Sequence, residues 1–182
     1  MSAVGALALS AALVWQSAYA GFTDTTGALS ASMSTGTVAL TNNVEGVAVS
    51  LVLPELRPGD SNTECIVVTS TGSEQAQVKL YSTGRTGSTA LTGAITFVWT
   101  AGTGGGANGD CTGFVSNGVT YSTSMSSFPT SYAAGYLPWN TVGGATAEAR
   151  SYRLTYSLSA TPSTAVKGTS AAITFVWEAQ QR

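Results

Sequence analysis

Four carboxylates are the candidates for chemistry in this chain: Asp60, Asp110, Glu148 and Glu178. Two carboxylates flanking a glycosidic bond suffice for acid–base hydrolysis, yet nothing in the spacing of these four singles out a pair. Isolated surface carboxylates are the ordinary condition. A Ser–Lys nucleophile would have to use Lys79 or Lys167, and neither sits in a suggestive motif. The chain contains no histidine, which removes Ser-His-Asp catalysis and the usual ligand of a zinc hydrolase. Gly104-Gly105-Gly106 lacks the Lys-Ser/Thr of a phosphate loop and opens no predicted helix. Residue chemistry therefore predicts no enzyme, no metal site and no cofactor.

What Cys65 and Cys111 do depends on the compartment, and the start of the chain speaks to that. Fifteen of the first twenty residues are apolar or aromatic and none is charged. Small residues, Ala18 and Ala20, precede a cleavage point that makes Gly21 the new N-terminus, the pattern of a secretory signal peptide over residues 1–20. The alternative is a membrane anchor or the assembly helix of a pilin. Against it, Gln16 and Ser17 interrupt the apolar run and leave it at the short limit for crossing a bilayer. No Lys or Arg precedes Arg57, so the basic opening of such a leader is missing and the true start is expected upstream, or the chain is trimmed. Export predicts a secreted, extracellular or cell-surface protein with no stable membrane span after cleavage. Oxidation is the default there, so a Cys65–Cys111 disulfide is expected. It closes a loop of about 46 residues, worth about 4 kcal/mol in the chain-entropy model.

The mature part is long enough for one domain with a real core. All seven basic and nine acidic residues lie in it, a net charge of −2. No basic run or stripe exists, which excludes nucleic acid as an expected partner.

The elements that must position these residues are strands. Val47, Val49, Leu51 and Leu53 alternate with smaller or polar residues until Pro54; Val78 and Leu80 alternate with Gln77 and Lys79. Tyr152, Leu154, Tyr156 and Leu158 alternate with Ser151, Arg153, Thr155 and Ser157. Shorter β-rich runs fall at 37–41, 64–69 and 119–123. One hexapeptide occurs twice, Ala94-Ile95-Thr96-Phe97-Val98-Trp99 and Ala172-Ile173-Thr174-Phe175-Val176-Trp177. Each copy puts Ile, Phe and Trp on one strand face. A duplication or a paired assembly edge is one explanation, and two core strands converging on β-branched and aromatic residues is the other.

Turn chemistry separates the runs at Pro58-Gly59-Asp60, Thr71-Gly72-Ser73, Thr83-Gly84 and Asn117-Gly118. Some eight or nine short strands and no amphipathic helix of convincing length predict an antiparallel sandwich. The Gly-rich stretch 101–110 reads as a flexible connection. Residues 122–147 are long, poor in alternation and rich in aromatics. Tyr132, Tyr136 and Trp139 there could meet a glycan or a protein partner; alternatively Tyr136, Leu137 and Trp139 plug one end of the sandwich.

Several landmarks in fixed order resemble the TasA/camelysin family of secreted β-sandwich proteins. They are Phe22-Thr23-Asp24-Thr25 behind the cleavage point, Ser34-Thr35-Gly36-Thr37-Val38-Ala39-Leu40, Leu56-Arg57-Pro58-Gly59-Asp60, Ser70-Thr71-Gly72-Ser73 before Val78-Lys79-Leu80, and Phe175-Val176-Trp177-Glu178-Ala179-Gln180. The cysteine pair, the missing basic leader start and the long aromatic loop depart from the pattern. The resemblance implies an all-β, jelly-roll-like sandwich over residues 35–182 and extracellular filaments of the biofilm matrix. It also implies assembly in which residues 21–34 of one subunit complete the sheet of the next. The donor residues would be Phe22, Asp24, Ala28, Leu29 and Met33, and the partner a second copy, head to tail, with other matrix or cell-surface components as further partners. The alternative for this segment is an ordinary first strand folded back on its own subunit, or a frayed terminus. The competing expectation is a monomeric surface-binding module that uses the 122–147 aromatics. Camelysin-type proteins have carried a metallo-endopeptidase label, which the absence of histidine opposes.

Overall fold

The computed structural model describes residues 23–25, 37–43, 48–53, 56–105 and 109–182. Val47, Pro54, the leader with Ala18 and Ala20, Gly21, and the proposed donor residues Phe22, Ala28, Leu29 and Met33 lie outside them. The strands are β1 (Thr23–Thr25), β2 (Leu40–Asn42), β3 (Val49–Leu53), β4 (Ser61–Ser70), β5 (Ala76–Thr86), β6 (Ile95–Thr103), β7 (Val115–Ser124), β8 (Tyr136–Asn140), β9 (Glu148–Leu158) and β10 (Ala171–Gln181). One short helix, α1 (Thr89–Ala94), precedes β6, its first turn capped by the Ser88 hydroxyl accepting from the Leu91 N–H. One sheet runs β1-β10-β5-β8 with β3 also on β10, and the other runs β2-β4-β9-β6-β7. Every pairing between them is antiparallel.

The two sheets pack as a sandwich because strict alternation gives each an apolar inner face. Val49, Leu51, Val78, Leu80, Ile95, Phe97, Leu154, Tyr156, Ile173 and Phe175 are all buried, as their period-two spacing requires. Along the described strands the chain changes sheet at every connection except β6 to β7, so consecutive strands face one another across the core.

The repeated hexapeptide now has an explanation. One copy runs through β6, central in its sheet, and the other through β10, central in the opposite sheet. Their rings meet across the gap: Phe97 to Phe175 at 5.4 Å, Trp99 to Phe175 at 4.8 Å and Trp99 to Trp177 at 5.8 Å. Edge-on aromatic pairs of this kind are favoured over face-to-face sandwiches. Both copies are paired on each side by other strands of the chain, which favours two core strands converging on the same residues. The two strands carry the same residues because each supplies half of one aromatic layer.

Three expectations are corrected. The stretch 101–110 is not all loop, since β6 continues through Thr103 with Ala101 fully buried. The segment 122–147 contains β8, a strand that alternation does not reveal because Pro138 interrupts it and Leu137 has φ 53°. Thr83-Gly84 and Asn117-Gly118, expected as turns, instead lie inside β5 and β7. There the positive φ of Gly84 (59°) and Gly118 (86°) goes with ladder irregularities rather than chain reversals. The 58–60 and 71–73 turns do separate strands. In Arg57-Pro58-Gly59-Asp60, the Asp60 carboxylate accepts from the Arg57 N–H at 2.8 Å, and Gly59 has φ 88°. Gly72 lies so close to the strand beginning at Thr37 that a Cβ would stand 2.6 Å from the Thr37 carbonyl. Glycine is what allows the turn to dock there.

Candidate functional site

The strand β10 has one flank hydrogen-bonded to β5 along nearly its whole length. Its other flank is shared. β3 takes residues 171–175, and β1 takes residues 178–180, with Thr23 opposite Gln180, Asp24 opposite Ala179 and Thr25 opposite Glu178. Val176 and Trp177 fall between these two ladders. Thr23–Thr25, the described part of the segment singled out as a strand donor, thus lies on the chain's own β10, in a slot that one short strand occupies, as the alternative of a first strand folded back on its own subunit expects.

The rest of the site braces that slot from the outer face. Glu178 is buried although its side of β10 points away from the core. The Tyr81 hydroxyl donates to its Oε2 at 2.8 Å and the Gln180 amide to its Oε1 at 2.8 Å. Burial, then the hydrogen bond to Glu178, then the charge of that carboxylate, push the Tyr81 phenol up to about 12. Tyr132 is raised too, by burial and then by Glu178. Its hydroxyl donates to the Gln77 carbonyl at 2.7 Å, and the Lys79 ammonium stands 4.8 Å from its ring centre. Sequence reasoning named Glu178 as a loose carboxylate and as part of the closing 175–180 landmark, without a structural role. The signal that identifies it is an acidic residue at an outward position of an otherwise apolar strand, two residues from a glutamine.

The opposite side of the sandwich is closed differently. There β8 and β7 are the edges of their sheets, and the Tyr121 and Tyr136 rings stack between them, 4.7 Å apart and 12° from parallel. Pro138 offers β8 no N–H, and the register of β7 on β6 breaks between Thr100 and Gly102. Interruptions of this kind blunt an edge against further pairing. The candidate contact loop is spent on the same closure. Trp139 is buried with Arg150 over its ring, and Tyr136 packs on Phe128 as well as Tyr121. Leu137 and Phe128 are buried beside them.

Cys65 and Cys111 form a disulfide. It fastens the 109–111 segment onto β4, where the Cys65 N–H also donates to the Gly109 carbonyl at 3.0 Å. The remaining carboxylates serve separate local tasks. Asp110 accepts from the Thr112 N–H and hydroxyl, bonds that hold it below its usual range, and Glu148 accepts from the N–H groups of Val142 and Gly143. Among the described residues no three His, Cys, Asp or Glu side chains are grouped to hold a metal ion, and no helix is long and apolar enough to cross a membrane.

No family model and no curated protein matches the chain. What the arrangement offers is backbone: a central strand with a flank completed in two pieces, opposite edges that are blunted, and a core that needs neither piece to be large.

Proposed function

We propose that the chain is a secreted structural subunit, of the TasA/camelysin type, that polymerises head to tail by giving its N-terminal strand to the next copy. The observation that carries this reading is the divided flank of β10, half of it held by a three-residue strand from the start of the chain. A slot that accepts Thr23–Thr25 from its own chain accepts the same residues from a neighbour through the same backbone bonds. This is the low-cost exchange that underlies domain swapping and β-augmentation. Each copy would donate one strand and accept one, a heterologous contact that propagates without closing. The blunted β7 and β8 edges leave that flank as the favoured direction of growth.

Removal of the leader after Ala20 would free Gly21 and the donor behind it. The disulfide suits an oxidising, extracellular location, and the uncharged, Ser- and Thr-rich composition suits a matrix filament. Electron microscopy and size-exclusion chromatography of the concentrated mature protein, residues 21–182, test the reading. Long regular filaments are expected. Protein that stays monomeric at every concentration overturns it and favours the surface-binding module instead.

A further inference from the structure

At one end of the sandwich the two sheets part. There β3 and β9 finish at Leu53 and Leu158, and β6 and β10 begin at Ile95 and Ala171. Between them lies a cavity of about 700 Å³. Its walls are Leu53, Leu56, Leu91, Ile95, Leu158 and Val166, and its lip is the 160–170 segment with the turn Thr164–Val166. The volume falls in the range of sites that enclose a small molecule.

Arg57 and Lys167 line the cavity, and no carboxylate does among the described residues. Asp60, three residues from Arg57, has its carboxylate on the Arg57 backbone N–H. Most other cations of the chain are committed elsewhere. Lys79 lies over Tyr132, Arg85 donates to the Met125 and Phe128 carbonyls, Arg150 donates to the Pro138 carbonyl, and Arg153 stands over Phe114. Among the described residues the Arg57 and Lys167 side chains have no such partner. Two cations without such a partner thus line a cavity whose walls are largely apolar.

We propose that this cavity binds a free fatty carboxylate, with its tail between the sheets and its head facing Arg57 and Lys167. An anionic head and a hydrocarbon tail are shared by a free fatty acid and a membrane phospholipid, and co-sedimentation with anionic phospholipid vesicles separates the two sources. The tail removes apolar surface of the leucine walls from water, while the paired cations select an anionic head. The site is independent of filament formation.

Titration calorimetry of the mature, disulfide-intact protein with dodecanoate tests it. Saturable binding of one dodecanoate per chain is expected, weakening about fourfold for each methylene removed from the tail. Dodecyltrimethylammonium, with the same tail and the opposite charge, should not bind. The double variant Arg57→Gln/Lys167→Gln should weaken dodecanoate about tenfold and leave neutral dodecanol unchanged, which separates charge from shape. Val166→Trp, checked by circular dichroism for retention of the fold, should fill the cavity and abolish binding of both. The proposal is overturned by absence of saturable dodecanoate binding, by equal binding of the cationic amphiphile, or by an Arg57→Gln/Lys167→Gln variant that binds normally. Co-sedimentation with anionic phospholipid vesicles in preference to dodecanoate overturns it equally.

Discussion

Deleting residues 21–32 separates the two roles that β1 can play. In the folded chain β1 holds three residues in register with β10. Fixing three backbone positions costs about 3–6 kcal/mol of conformational entropy. The ladder bonds they make return about 0.5–1.5 kcal/mol each, so three or four of them contribute roughly 1.5–6 kcal/mol. The two sums nearly cancel, and loss of β1 should change the stability of the domain by no more than about 1 kcal/mol. For a domain of this size that is a shift in melting temperature of at most about 4 °C. Filaments, in contrast, should disappear, because the donor is gone while the acceptor flank remains. The assay is a pair of measurements on one preparation, a thermal melt followed by circular dichroism and electron microscopy at high concentration. Normal filaments from the truncated protein refute strand donation even if the fibre reading survives. A truncated chain that fails to fold refutes the energetic reasoning, since β1 would then be part of the core of its own subunit.

The remaining predictions concern the sandwich itself. Phe175 is fully buried with rings of Phe97, Trp99 and Phe128 at 5.4, 4.8 and 5.3 Å. Phe175→Ala should therefore cost about 4 kcal/mol, read as a fall of about 2 M in the urea midpoint; a loss below about 1 kcal/mol would put the ring outside the core. Replacing both cysteines by serine should lower stability by about 2–4 kcal/mol, since the Cys65–Cys111 bond closes a separation of 46 residues; two alkylatable thiols in the unreduced protein would contradict the bond. The Tyr81 phenol titrates near 12 in the fold against 10.0 in the unfolded chain, so its contribution is complete below pH 10 and is lost as the pH rises through about 12. The wild-type melting temperature should fall across that window more steeply than that of Tyr81→Phe, and parallel curves would rule the contribution out.

Much of the sandwich is legible in the sequence because period-two alternation is a direct record of an inner and an outer face. The β9 run and both hexapeptides carry that record without interruption, and their inward residues are buried. Legibility fails where the backbone departs from a regular ladder. In β8, Pro138 and the positive φ of Leu137 break the pattern, so Trp139 reads as a loop aromatic although it is packed under Arg150. The helix α1 escapes notice because six residues give less than two full turns of periodicity. The candidate site is legible in part. The resemblance implies a strand within residues 21–34, but the pairing of Thr23–Thr25 with β10 is a matter of topology, which local pattern does not encode. The bracing of Glu178 by Tyr81 and Gln180 depends on β5 lying beside β10, and Tyr81 and Glu178 are 97 residues apart.

A subunit that shares a strand must be stable without owning it, and the placement of the aromatic residues meets that requirement. Phe97, Trp99, Phe128, Phe175 and Trp177 form one continuous set of ring contacts between β6, β10 and the segment after β7. This layer is completed by strands that never leave the domain, and β5 secures β10 from its other flank. The N-terminal strand adds backbone bonds to a sheet whose inner face is already filled. Its pairing is therefore close to neutral within one chain, and little is lost when it moves to another. Folding back on the same chain is unimolecular, whereas exchange gains by mass action as the protein is concentrated. On the proposed reading, a domain built this way would fold as a monomer and assemble as its concentration rises, with no change in the core that holds it together.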